Sequence, residues 1–376
     1  MKYYVVHMLG WIYRHIAVHF FFLFDSEPIH EFITEGGYYL GKIPGMRALL
    51  RAMIRVTHPA LRTELAGIVF DIPIGLSAGF DYEGRLPRIL SGFGFGFESM
   101  GTVTNGAYQG NPYPRIKRLV KSRSMLINKG FKSSGVDSVL RRVGTKSFDI
   151  PIGISLGKTN TVAIDTHEQA VADVVEAFKK VEASGVPFAY FELNISCPNL
   201  IKDISFYEPS RLRQLLSAVC GLRLSRPLFI KMPIVLSNDE TLALVDVVRE
   251  FPVAAVIIGN LLKDRTDPAL DRKEMEEFGK YKGNWSGVPC RRRSDELIRL
   301  VYQRTEGTLP IIGVGGVFTA EDAYRKIRLG ASLLEMATAP IFEGPQVPAE
   351  ICADLPALLE RDGFSSIKEA VGVDAR

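Results

Sequence analysis

The chain is poor in cysteine. Its 376 residues hold four, Cys197, Cys220, Cys290 and Cys352, and no two are spaced as a CxxC metal or redox pair. This excludes a disulfide-stapled scaffold and suits a reducing compartment; Cys220 and Cys352 read as small buried hydrophobes. Charge of one sign is also lacking. Lys and Arg number 46 against 42 Asp and Glu, a net charge of +4 with no dense basic block, so no nucleic-acid partner is expected. Glycine has no strict period, no internal repeat occurs, and no His/Asp/Glu group has ligand spacing, so no catalytic metal is expected. What is plentiful is apolar: hydrophobic residues make up 47 % and charged ones 23 %, the balance of a globular chain able to bury a large core.

Residues 1–24, MKYYVVHMLGWIYRHIAVHFFFLF, are apolar and aromatic but are interrupted by His7, Arg14, His15 and His19. A spanning helix needs about 20 predominantly apolar residues, and Arg14 at its centre is costly. A signal peptide needs a small-residue cleavage site, and FFFLFDSEP supplies none. A helix lying in the membrane interface remains, with Trp11 and the tyrosines at headgroup level. GMRALLRAMIRV, residues 45–56, repeats Arg47, Arg51 and Arg55 on one face, with Leu49, Leu50, Met53 and Ile54 away from it, and predicts a basic amphipathic helix. The alternative is a helix pair packed on the body of the protein; peripheral membrane contact is favoured.

From residue 67 apolar runs alternate with helical segments. The runs are Ile72–Leu76, Phe95–Met100, Ile150–Ser155, Ala189–Ile195, Pro227–Lys231, Ala254–Ile258, Pro310–Val314 and Ser332–Met336. Between them lie segments such as TAEDAYRKIRLG, with Thr319 as N-cap and Gly330 as C-terminal stop. Eight such alternations predict an α/β fold, a (β/α)8 TIM barrel, divided into an N-terminal helical extension over 1–62 and a catalytic barrel over 63–376. A doubly wound sheet is the runner-up, but no GxGxxG opens a helix after the first strand.

In a barrel the chemistry sits at the C-terminal ends of the strands. Gly315, Gly316 and Thr338 fall after strands seven and eight, where backbone N–H groups often hold a phosphate. Lys231 ends an apolar strand and enters the mouth, where a buried ammonium needs an anion. The run Asn194-Ile195-Ser196-Cys197-Pro198-Asn199 sets two carboxamides around one thiol. Carboxamides read the amide edges of heterocycles, because each offers donor and acceptor. A thiol with a pKa of about 8.5 becomes a general base near neutrality if that value falls modestly. With Asn128 and Asn260 added, the strand ends predict a pocket for a flat, amide-rich ligand.

These residues resemble the dihydroorotate dehydrogenase family, in its membrane-associated, quinone-reducing class (class 2). FLFDSEPIHEF (22–32), GLSAGFDYEG (75–84), FGFGFESMGTVTNGAYQGNPYPRIKRL (93–119), IGVGGVFTAEDAYRKIRLGASLLEMATA (312–339) and EAVGVDAR (369–376) carry the resemblance. It implies FMN-dependent oxidation of dihydroorotate to orotate in pyrimidine synthesis. FMN contacts would come from Ala78, Gly79, Thr102, Ser155, Asn194, Lys231, Gly259, Gly287, Gly316, Ala337 and Thr338. Substrate contacts would come from Asn128, Gly130, Phe131, Asn194, Asn199 and Asn260. Cys197 would remove the C5 proton as a hydride leaves C6, and Arg118 would line the path of a membrane quinone.

The pocket also departs from the family pattern. Cysteine stands at position 197 where this class has serine. Tyr82 replaces a lysine, Ser155 an asparagine and Leu261 a hydroxyl residue; Lys132 stands in place of an asparagine, and the stretch from Asn128 to Phe131 is one residue short. Lys132 is expected to restore the charge lost at Tyr82. The alternatives these changes raise are a flavoenzyme acting on another dihydropyrimidine or cyclic amide, or a silent flavin-binding scaffold. The start MKYYVVHML has no Arg/Ser-rich transit peptide, so the cytoplasmic side of a bacterial inner membrane is expected, ahead of a mitochondrial inner membrane.

Overall fold

A computed structural model describes residues 2–145, 147–201 and 204–376. Its centre is a closed barrel of eight parallel strands: β1 Ile74–Leu76, β2 Phe97–Thr104, β3 Ile152–Gly157, β4 Tyr190–Asn194, β5 Leu228–Met232, β6 Val253–Ile258, β7 Ile311–Val314 and β8 Ala331–Met336. Each expected apolar run overlaps one of them. Strands covered on both faces read as continuous apolar stretches, and all eight pairings, including β8 to β1, are parallel. Helices between the strands form the outer layer. Two begin with full capping boxes, Thr166 with Gln169 and Ser237 with Glu240, which satisfy the first free N–H groups. Thr319 caps Ala320–Arg328 by accepting from Asp322 N, and Gly330 follows that helix at φ +125°.

Side chains alternate across each strand, so the barrel interior is layered. A lower layer holds Phe97, Tyr190, Phe229, Ile257, Ile312 and Leu333, all fully buried. The antiparallel hairpin Thr63–Leu65 with Ile68–Phe70 closes the bottom, and Phe70 meets Phe97 edge to face at 5.2 Å. One step higher the interior turns polar, with Ser99, Ser155, Glu192, Lys231 and Glu335 buried. The mouth is roofed by a small antiparallel sheet of Ile116–Leu119, Ser124–Ile127 and Asn284–Trp285.

The N-terminal segment runs as helix Lys2–Ile12, a π-helical turn Tyr13–Ala17 and Val18–Phe21, followed by helices Ser26–Leu40 and Met46–Met53. No described helix is long and apolar enough to cross a membrane. Arg14 is not immersed in an apolar face: it pairs with Glu350 at 2.9 Å and Glu343 at 3.5 Å on the barrel. The predicted basic helix is turned differently from expectation. Arg47 and Arg51 pair with Asp149, and Arg55 with Asp71, so its cations hold it to the barrel while Leu49 and Met53 stand exposed.

Candidate active site

The strand ends open into one cavity of about 670 Å³ that continues from the mouth to the N-terminal helices. At the mouth Lys231 of β5, 2 % exposed, donates to Ser77 Oγ at 2.6 Å and lies 3.7 Å from the Glu335 carboxylate. Ser99 Oγ donates to Glu335 at 2.7 Å. Burial pushes the Glu335 carboxyl up, against the opposing pull of Lys231. A second chain of bonds runs beneath: Asn194 Nδ2 donates to Thr102 Oγ1 at 2.7 Å, Thr102 and Ser155 share a bond of 2.9 Å, and Ser155 Oγ donates to Glu192 at 2.6 Å. Ser155 thus works from behind Thr102 and does not reach the cavity, contrary to its assignment as a direct contact.

The thiol loop follows β4. Asn194 Oδ1 accepts from Ser196 N at 3.0 Å and Ser196 Oγ at 2.6 Å, and Asn260 Nδ2 donates to Ser196 Oγ, so two strand-end carboxamides fix the turn that delivers Cys197. The thiol lines the cavity. Its pKa does not fall, as the sequence reading required: burial pushes it up to about 12, partly opposed by the Asn199 N–H and the Lys158 charge. Removing a thiol from water penalises the thiolate.

Asn199 Nδ2 donates to Ile127 O at 3.0 Å, and its Oδ1 accepts from Asn284 at 2.6 Å, which ties the loop to the roof. Asn128 stands behind this wall, accepting from Asn111 Nδ2 at 2.9 Å, and does not line the cavity; Gly130 and Phe131 do. Asn160, which the sequence reading passed over, holds Gly130 O at 2.9 Å and receives Ile201 N at 2.8 Å. Only the fold brings its segment there. Lys132 does not replace the charge absent at Tyr82, since its ammonium is held by Glu31 at 2.6 Å and Glu27 at 3.4 Å.

Opposite the thiol, Gly287, Gly316, Ala337 and Thr338 lie together at the rim. Gly316 has φ +70°, and a Cβ there would stand 2.5 Å from Arg291 Cβ. Thr338 Oγ1 donates to Ser286 Oγ at 2.9 Å. The N–H groups of Gly316, Ala337 and Thr338 find no acceptor among the described residues, as an anion cradle requires. Toward the helices the cavity is lined by Arg118, whose Nη2 donates to Phe24 O at 2.7 Å and whose guanidinium stacks on Phe22 at 4.4 Å. His30, also missed as a lining residue although FLFDSEPIHEF contains it, donates from Nε2 to Phe80 O at 2.9 Å and is held neutral by burial.

This fold and site define a (β/α)8 enzyme with its cavity at the strand ends. The family model described as dihydroorotate dehydrogenase matches residues 60–359, and the chain belongs to that family. A dihydroorotate dehydrogenase (quinone) of Gloeobacter violaceus is 38 % identical over 315 residues, 84 % of this chain and 86 % of the relative. The protein of the same description from Acaryochloris marina is 36 % identical over 370 residues, 93 % and 95 % of the two chains. Among solved structures, the Eimeria tenella DHODH in complex with ferulenol superposes with a TM-score of 0.82 at 27 % identity, covering 94 % of this chain and 96 % of that one.

The family is flavin-dependent, and the mouth fits a flavin. Gly79 has φ +107°, and a Cβ built there meets nothing within 4 Å: it would point into open cavity, where a flat ligand approaches the backbone. One Glu335 oxygen is buried without a hydrogen bond beside Lys231, leaving a polar floor under that ligand.

Proposed function

We propose that the chain oxidises dihydroorotate to orotate at a bound FMN and passes the electrons to a membrane quinone, a step of pyrimidine synthesis. The observation that carries this reading is a single cavity in which Cys197, Asn199, Asn260 and Lys231 converge and which runs on past Arg118 between the N-terminal helices. The relatives named dihydroorotate dehydrogenase (quinone) do not favour another dihydropyrimidine. FMN, when bound, accepts the hydride from C6 of the substrate and relays the electrons onward.

Ala78, Gly79, Thr102, Asn194, Lys231 and Gly259 would hold the flavin ring, and Gly287, Gly316, Ala337 and Thr338 its phosphate. The Lys231 ammonium favours negative charge on the ring. Asn199 and Asn260 each keep a donor hydrogen and a lone pair for the amide edges of the substrate, beside Gly130 and Phe131. Cys197 Sγ takes the C5 proton. Because burial disfavours the thiolate, that step leans on the Asn199 N–H and the Lys158 charge, both of which stabilise the anion.

Quinone enters beside Arg118. The 1–62 extension offers Tyr4, Trp11 and Phe20 of its helices and Leu23 of the following turn to solvent, Leu23 at 79 % exposure. Such an apolar rim suits peripheral contact with a bilayer, here the cytoplasmic side of a bacterial inner membrane. Anaerobic titration of the purified protein with dihydroorotate tests the reading. The flavin absorbance should bleach with one equivalent and return on adding a soluble quinone; a flavin that stays oxidised rejects it.

A further inference from the structure

Four cations crowd the wall between the roof sheet and the Ser26–Leu40 helix, and three of them are held by protein groups. Lys132 is clamped by Glu31 and Glu27. Arg115 pairs with Glu27 at 3.1 Å, and Arg85 Nη1 donates to Thr34 Oγ1 at 3.3 Å. Lys129 differs. It is 9 % exposed, it lines the cavity, and among the described residues its ammonium has no hydrogen bond or ion pair. It sits over the Tyr82 ring, whose centre lies 3.9 Å from Nζ.

A ring face attracts a cation but does not neutralise it. A buried ammonium without a counter-ion is costly, and that cost outweighs Glu27 and Glu31 enough to pull its pKa down to about 7. The geometry is that of a socket waiting for an anion. Cys197 and Asn199, with Gly130 and Phe131, line the same cavity. The Tyr82 ring stays in the wall, and the charge is laid over it from the neighbouring loop.

We infer that Lys129, seated on the Tyr82 ring, is the cation that receives the carboxylate of the pyrimidine substrate. The inference rests on the function proposed above and names the residue that sets its preference for an acidic ring over a neutral one. Lys129 is distinct from Lys231, which faces the floor of the cavity.

The test measures binding to the oxidised holoenzyme, read as perturbation of the flavin spectrum, for orotate and for uracil, which lacks the carboxylate. A charge-assisted hydrogen bond of ordinary strength corresponds to about 10- to 100-fold in affinity. Lys129→Gln should weaken orotate by that factor and leave uracil within about twofold, with flavin content unchanged. Equal losses for both ligands would mean that Lys129 only shapes the wall. Unchanged orotate affinity with a flavin midpoint potential shifted negative would assign the cation to the reduced flavin instead. Either result overturns the inference.

Should the variant fold poorly, the unmodified holoenzyme still answers by calorimetry in buffers of different ionisation heat. The groups facing Lys129 are Glu27, His30 and Glu31 of the helix, with Tyr82, Arg115 and Lys132. Glu27 and Glu31 are ion-paired, burial keeps His30 neutral, and burial raises Tyr82. Orotate binding should therefore take up a proton at about pH 8 and almost none at about pH 6, as the ligand restores the lysine's charge. No uptake at either pH overturns the inference. If dihydroorotate fails to bleach the flavin while orotate still binds through Lys129, the proposed reaction falls and this subsite stands.

Discussion

Lys231 Nζ and the Glu335 carboxylate lie 3.7 Å apart with side-chain exposures of 3 % and 0 %. Despite that proximity, burial raises Glu335 above its ordinary value of 4.5. A folded-state value above the unfolded one means that this group's stability contribution is complete below the unfolded value and is lost as pH rises through the folded one. Glu335→Gln keeps the shape and abolishes the titration. Its denaturant midpoint should gain on the parent between about pH 5 and about pH 8.5. A variant that falls further behind at the higher pH would show the attraction of Lys231 to be the larger effect.

Cys197→Ala should retain its yellow cofactor and lose about 10²- to 10⁴-fold in the rate of flavin reduction by dihydroorotate, the usual worth of a general base. Because the thiol is pushed up to about 12, the parent rate should climb with pH and reach no plateau by about pH 9. A stopped-flow profile already level at neutrality would contradict a Cys197 thiol raised in this way as the base.

Two of the cavity glycines with positive φ, Gly79 and Gly316, should fail differently. At Gly79 the added methyl meets open space, so Gly79→Ala should fold with a backbone cost of about 1 kcal/mol and release flavin more readily. At Gly316 it collides with Arg291, so Gly316→Ala should lose thermal stability as well as cofactor. Parallel melting curves with and without added FMN separate the two outcomes.

Trp11→Asp and Leu23→Asp remove two exposed apolar side chains of the N-terminal extension. Burying one such side chain is worth about 1.5–3 kcal/mol, so each change should weaken vesicle co-sedimentation by about tenfold or more. Flavin content and reduction by dihydroorotate should not move. Unaltered sedimentation would remove this face from membrane contact.

The barrel was readable because parallel strands buried between the packed interior and one outer ring of helices leave unbroken apolar runs, and the segments around Ile150–Ser155 or Pro310–Val314 have no other comfortable placement. The rim glycines and Lys231 were equally legible from their place at strand ends. Burial of a functional group was not. Nothing local to Cys197 announces that its thiol rises, since that depends on how loops fold over it. Asn128 and Lys129 are adjacent in sequence, yet one turns behind the wall and the other into the cavity, in a loop held by Asn111 and Asn160 from afar. The arginines at 47, 51 and 55 read as the basic face of a membrane-contacting helix because their partners Asp149 and Asp71 lie elsewhere in the sequence.

The antiparallel ribbon of Ile116–Leu119 and Ser124–Ile127 bears Arg118 on one strand and leads directly into Lys129 from the other. A blocker wedged against Arg118 and a ligand seated by Lys129 therefore lean on one stiff element. Whatever factor the first imposes on the grip of the second is returned in full, because linkage between two bound molecules is reciprocal. Ranking blockers once with the pyrimidine pocket filled and once with it empty turns the gap between the two rankings into a gauge of how far the ribbon transmits.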